Sequence, residues 1–171
     1  MGHSTHPLDR FLALLARHDI ELVADIRRFP GSRKFPWFNR DHLASTLPPA
    51  GVDYLWIESL GGRRPKTRRE FSANLGLRNE SFRNYADYMA TDAFREGVQE
   101  LLDESSRKRT AFLCSEGLFW RCHRRLVRDF PLERGIAVQH ILPSGELRRH
   151  TLTPGAEVAG GEVTYPAPKG E

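Results

Sequence analysis

Short apolar runs alternating with segments of helical spacing constrain this chain more than any other feature. Residues 21–26, 52–57 and 110–113 are apolar enough to be buried strands, and each gives way to polar residues. Between and around them the apolar spacing is helical, as in Leu8, Phe11, Leu12, Leu15, or Phe82, Tyr85, Ala86, Met89, or Phe94, Val98, Leu101, Leu102. Strands joined by crossover helices pair in parallel. The expected fold is therefore a single α/β domain, with a mostly parallel central sheet flanked by helices. Residues 136–142 and 146–152, joined through Pro143, Ser144 and Gly145, predict a C-terminal hairpin at the sheet edge. The domain is expected to span residues 1–152, and residues 153–171, rich in Gly, Pro, Ala and charge, to be a disordered tail. Ser4 or Thr5, Asn39, Ser81 and Thr91 are the expected helix N-caps. Arg83 and Asp87 are spaced for an i,i+4 pair.

No run approaches the ~18 apolar residues of a membrane span, and no secretory signal is visible. A cytoplasmic protein without a membrane partner is expected, and two cysteines there do not suggest a disulfide framework. The net charge of +4 is unevenly spread: residues 63–69 hold five cations. That distribution suits an anionic substrate, such as a nucleic acid, or merely a solvated face. Residues 63–79 lack periodicity and are expected to form a mobile loop or lid.

The chemistry-bearing residues sit at strand ends, where open α/β sheets bind ligands. Residues 110–113 run into Cys114, Glu116 and Gly117, and a helix is expected from about Phe119, with Phe119, Cys122, Leu126, Val127 and Phe130 on its apolar face. Arg121, Arg124, Arg125 and Arg128 would then share the opposite face. Glu116 can act as general acid or base, pair with Arg121 or Arg124, or cap the helix. His123 titrates near neutrality and can assist. Cys114 is either a nucleophile activated by the helix start or a small buried residue. Cys122 is expected to pack. Cys114, Cys122 and His123 could contribute metal ligands, but the C-x7-C-H spacing matches no common zinc pattern, so neither metal nor cofactor is expected.

The earlier strands deliver Asp25, Arg27 and Arg28, and then Glu58, Gly61, Gly62, Arg63 and Arg64. The glycine pair lets backbone N–H groups approach an anion, or is simply a turn. The aromatics of residues 29–38 can stack bases or plug the core. His3 is a ligand contact on a turn or, more simply, an exposed terminal residue.

Several segments occur in one order: Gly2-His3-Ser4, Asp25-x-Arg27, Phe38-Asn39, Leu60-Gly61-Gly62, Tyr85-Ala86-Asp87-Tyr88-Met89, and Cys114-x-Glu116 with Cys122-His123-Arg124. Together they resemble the domain-of-unknown-function 488 family over nearly all of residues 1–152. The resemblance implies a small bacterial or archaeal α/β protein without a settled activity. The resemblance also implies a first strand, usually ending in Thr-Ile-Gly-His-Ser, which is expected to be cut short here. Protein tyrosine phosphatases also place a cysteine between strand and helix, but with a shorter spacing to the arginine. Rhodanese-like domains share the arrangement more loosely, including an Asp-x-Arg like that of Asp25 and Arg27.

The resulting expectation is an enzyme acting on a nucleic acid, nucleotide or other phosphate-bearing substrate. Its catalytic candidates are Glu116, His123, Asp25 and Cys114. Its binding candidates are Arg27, Arg28, Asn39, Gly61, Gly62, Arg63, Arg64, Tyr85, Arg121 and Arg124. The alternatives are a non-catalytic nucleic-acid-binding module, and rhodanese- or phosphatase-like thiol chemistry at Cys114.

Overall fold

The fold is a computed structural model that describes residues 1–66 and 72–168. Arg68 and Arg69 of the expected basic loop, and the last three residues of the expected tail, lie outside the described residues. In chain order the elements are α1 (Leu8–Arg17), β1 (Leu22–Asp25), α2 (Arg40–Thr46), β2 (Asp53–Trp56), α3 (Glu80–Tyr88), α4 (Asp92–Ser105), β3 (Thr110–Leu113), α5 (Arg124–Val127), α6 (Asp129–Glu133), β4 (Gln139–Ile141), β5 (Leu147–Arg149), β6 (Glu157–Ala159) and β7 (Glu162–Thr164). No helix among the described residues is long and apolar enough to cross a membrane.

Strands β2, β1 and β3 form a parallel sheet in that order, with β1 central. Asp25 is level with Trp56 on one side and Leu113 on the other, so all three strands end together. Successive side chains of a strand point to opposite faces, and the two cores follow that alternation. Val23, Ala111 and Leu113 pack with Phe11, Leu14, Leu15, Leu43 and Leu47, from α1 and the α2 region. Ala24 and Phe112 pack with Tyr85, Phe94, Val98, Leu101, Leu126 and Phe130, from α3 to α6. The α/β architecture expected from the alternation is the one found.

Residues 1–3 run beside β3, with Gly2 bridged in parallel to Cys114. Met1 O and Cys114 O accept from Cys114 N and His3 N, at 3.2 and 2.9 Å. Because these residues take that edge, β4 and β5 form the expected hairpin as a separate two-stranded sheet and do not extend the central one.

Five local expectations are corrected. Pro7, not Ser4 or Thr5, precedes α1. Asn79, not Ser81, caps α3 through its side chain, whereas Thr91 caps α4 as expected. Arg83 donates to Leu77 O, while Asp87 accepts from Ser72 and Asn74, so no Arg83–Asp87 pair forms. Ser72, Asn74 and Leu77 are thereby tied to the body, so the C-terminal half of the expected mobile loop is packed. The tail is the largest correction. Residues 157–164 form the β6–β7 hairpin, and Val163 and Tyr165 are buried in the α3–α6 core. Buried polar groups anchor it: Tyr165 OH donates to Asp129 Oδ2 at 2.7 Å, and Tyr165 N to Asn74 Oδ1 at 2.9 Å.

Candidate functional site

Asp25 ends the central strand with no exposed surface, so its charge must be met inside the protein. Its Oδ1 accepts from Arg27 N and Nε at 3.1 and 2.8 Å, and its Oδ2 accepts from Arg27 Nη2 and, at 2.7 Å, from Tyr54 OH. Burial and the adjacent carboxylate push the Tyr54 phenol up. With every acceptor engaged, Asp25 and Arg27 organise the strand end; neither is poised for a substrate.

His3, expected to be exposed, is buried against this pair and stacks on Phe38, ring centroids 4.2 Å apart. Ser4 O can only accept and Arg27 Nη1 can only donate. The ring therefore carries its proton on Nδ1, bonded to Ser4 O at 3.0 Å, and offers Nε2 to Arg27 at 3.4 Å. Burial and then the Arg27 charge hold His3 down at about 4. The unfolded chain binds this proton below about pH 6.5 and the folded chain only near pH 4. His3 therefore costs nothing above pH 6.5, and stability falls as the pH drops from 6.5 to 4. The loss is at most about 3 kcal/mol. Urea titrations at pH 7 and pH 5 should show the drop in wild type and a smaller one in His3→Gln; equal drops would refute the assignment.

The loops that follow all three strands meet at His123. Its Nε2 is 3.2 Å from Ile26 O, so that nitrogen carries the hydrogen, and its ring contacts Tyr85 edge-on at 4.9 Å. A Cβ on Gly62 would lie 2.8 Å from His123 Nδ1, and one on Gly61 would lie 2.6 Å from Arg28 Cα. The two glycines are what allow this close approach. Arg28 Nη1 reaches Arg63 O at 3.4 Å, while Arg64 donates to the carbonyls of Gly61, Ser59 and Glu58 and stacks 3.8 Å over Tyr88. Burial, and the neighbouring Arg28 charge, lower the Arg64 pKa. No salt bridge reaches Arg28, Arg63 or Arg64 among the described residues.

Beside His123 lie two sulfurs. The donor atoms of Cys114, Cys122 and His123 fall within 4.8 Å of one another, with Cys122 Sγ 3.6 Å from His123 Nδ1. Both cysteines are free and buried. The neighbouring Cys122 and burial push the Cys114 thiol up, whereas the neighbouring Cys114 and the Arg124 charge lower Cys122 against its own burial.

The expected arginine row does not form. Phe119–Arg121 is one 3-10 turn and α5 starts only at Arg124, which shifts the helical phase. Arg124 and Arg128 are 1% and 2% exposed; Arg124 donates to Glu116 O, and Arg128 lies 5.2 Å from the Phe112 ring. Arg121 and the Glu116 side chain are exposed, and Glu116 Oε1 accepts from Leu118 N at 3.0 Å. The Glu116 side chain thus caps the turn. Asn39 Oδ1 accepts from Ser32 N, and the buried Tyr85 donates to Leu60 O. Phe38 is buried and Trp37 donates to His6 O, so the aromatic loop is largely a plug. A cavity of about 400 Å³ opens elsewhere, beside β3, and its lining includes neither His123 nor Arg28, Arg63 or Arg64.

Of the expected residues, the fold brings together His123, Cys114, Gly61, Gly62, Arg28, Arg63 and Arg64. Cys122, expected mainly to pack, and His3, expected to be exposed, also lie at the strand ends; the Cys122-His123 pair was the available signal. No curated protein and no solved structure matches the chain. The model of the family described as domain of unknown function DUF488 matches residues 7–131, well over half of the chain, and the chain belongs to that family.

Proposed function

We propose that the chain is a cytoplasmic enzyme acting on a phosphate-bearing substrate, a nucleotide or nucleic acid. Arg28, Arg63 and Arg64 grip it at the Gly61–Gly62 turn, and the chemistry occurs beside His123. The observation that carries this reading is the meeting of the Arg28 and Arg64 guanidinium groups at one glycine turn, where Arg28 bonds the carbonyl of the exposed Arg63 and Arg64 that of Gly61, without a carboxylate partner among the described residues. Crowded like charges repel, so a bound anion stabilises them, and phosphate oxygens fit the arginine fork. The glycines supply close backbone approach. His123 is a half-buried imidazole at the same turn. Two free cysteines accord with a reducing compartment.

Titrating the protein at low salt with a nucleoside triphosphate and a labelled single-stranded oligonucleotide tests this. Binding should weaken about tenfold or more in Arg28→Gln/Arg63→Gln, since a charged hydrogen bond contributes about 1.5–3 kcal/mol. His123→Asn should retain binding and lose turnover of whichever phosphate ester is bound. Affinity indifferent to the two arginines would remove the site. Binding without any wild-type turnover would leave only a binding module.

A further inference from the structure

We propose that Cys114, Cys122 and His123 form a site for a soft divalent cation of the zinc class, with two thiolates and one imidazole as ligands and a fourth position that takes an anion. The three donors lie within 4.8 Å of one another. Around a tetrahedral zinc ion, with bonds of about 2.3 Å to sulfur and 2.0 Å to nitrogen, adjacent sulfur and nitrogen ligands are about 3.5 Å apart. Cys122 Sγ and His123 Nδ1 are 3.6 Å apart. The linear spacing conceals this set because its members flank the turn: Cys114 ends β3, whereas Cys122 and His123 follow the 3-10 turn.

The surroundings suit a metal ligand set. The Nε2–H of His123 is held by Ile26 O at 3.2 Å, which leaves the Nδ1 lone pair on the sulfur side. Such a second partner is what orients a ligating imidazole. Arg124 N lies 3.5 Å from Cys122 Sγ, where an N–H supports a thiolate.

A second, independent observation is unmet positive charge close enough to bear on Cys122. Arg124 is 1% exposed, yet its Nε and Nη1 are buried without a hydrogen-bond partner. Arg128 Nε is likewise without a partner. Unmet buried donors of this kind are costly. Two thiolates cancel the charge of a divalent ion, so the guanidinium charges remain to be met. An anionic fourth ligand, hydroxide or a phosphate oxygen, would meet them.

The site stands on its three donors and not on the phosphate reading. Metal uptake without nucleotide binding would sink only that reading, and nucleotide binding without metal uptake would sink only this one. The test uses the intact, chelator-treated chain and Co2+ alone, followed by Zn2+. One Co2+ per chain should bind with thiolate-to-metal charge-transfer absorption and tetrahedral visible bands, and one equivalent of Zn2+ should abolish both. Cys114→Ser and Cys122→Ser should each weaken uptake by more than the ~10–100-fold cost of losing an outer-shell partner. An arm without variants guards against misfolding: iodoacetamide labelling of wild-type thiols, followed by mass spectrometry. It should slow about tenfold or more with one equivalent of zinc, since metal-bound thiolate is withheld from reaction, and recover on chelation. Absence of stoichiometric uptake, uptake without charge-transfer absorption, or labelling indifferent to zinc would each overturn the site, leaving a thiol–imidazole hydrogen bond in its place.

Discussion

Asp25→Ala should lower folding stability by about 3–5 kcal/mol, the cost of leaving one partner of a buried ion pair uncompensated. Arg27 is 4% exposed and would keep its charge with no carboxylate beside it, while Tyr54 OH would lose its acceptor. For a chain of this size the loss corresponds to a fall in Tm of roughly 6–20 °C. The penalty comes from the stranded charge and not from the lost attraction, so the double variant Asp25→Ala/Arg27→Met should recover part of it. Calorimetry on the two single variants and the double one checks this. Strictly additive losses would mean that the pair is not coupled. The same cycle reports on the site, because Asp25 and Arg27 fix His3 and the strand end from which Ile26 reaches His123.

Asp129→Ala should cost a similar amount, about 3–5 kcal/mol, and its effect should be regional. The carboxylate is fully buried. Its Oδ1 accepts from His150 Nε2 at 2.8 Å and Thr153 N at 3.0 Å, and its Oδ2 accepts from Tyr165 OH. His150 in turn contacts His140, so one side chain on α6 gathers β4, the residue after β5, and the segment beyond β7. Removing it frees three groups at once. Limited proteolysis should then cut first within residues 153–168, followed by the body of the chain. Cleavage beginning elsewhere at the same rate as in wild type would show that apolar packing of Val163 and Tyr165 alone holds the segment.

These anchors explain which features the sequence made legible. Strands β1, β2 and β3 were readable because each is a local apolar run, and the polar residues at their ends marked the side on which a site would form. Gly61, Gly62, Arg28 and His123 belong to that legible part. The tail was not legible, because its order depends on partners distant in sequence, Asn74 and Asp129 for Tyr165, in a stretch whose composition alone suggests disorder. The arginine row failed for a different reason. A continuous helix from Phe119 would have exposed Arg124 and Arg128, but the 3-10 turn at Phe119–Arg121 and the later start of α5 rotate both into the interior. Glu116 drew attention as the carboxylate of the turn, yet a carboxylate two residues before a free N–H has a simple local use, and that is the one it has. Cys122 fitted the apolar stripe of the same helix, which hid its proximity to Cys114.

The central claim, that the Gly61–Gly62 turn holds phosphate, is tested most directly by a salt series. Affinity for a labelled single-stranded oligonucleotide and for a nucleoside triphosphate would be measured in wild type and in Arg28→Gln/Arg63→Gln. The predicted result is binding at low salt. For the oligonucleotide, the slope of log affinity against log salt should become shallower by about 0.7 for each phosphate contact removed. Failure to bind either ligand at low salt, or the same affinity and slope in the double variant, would contradict it.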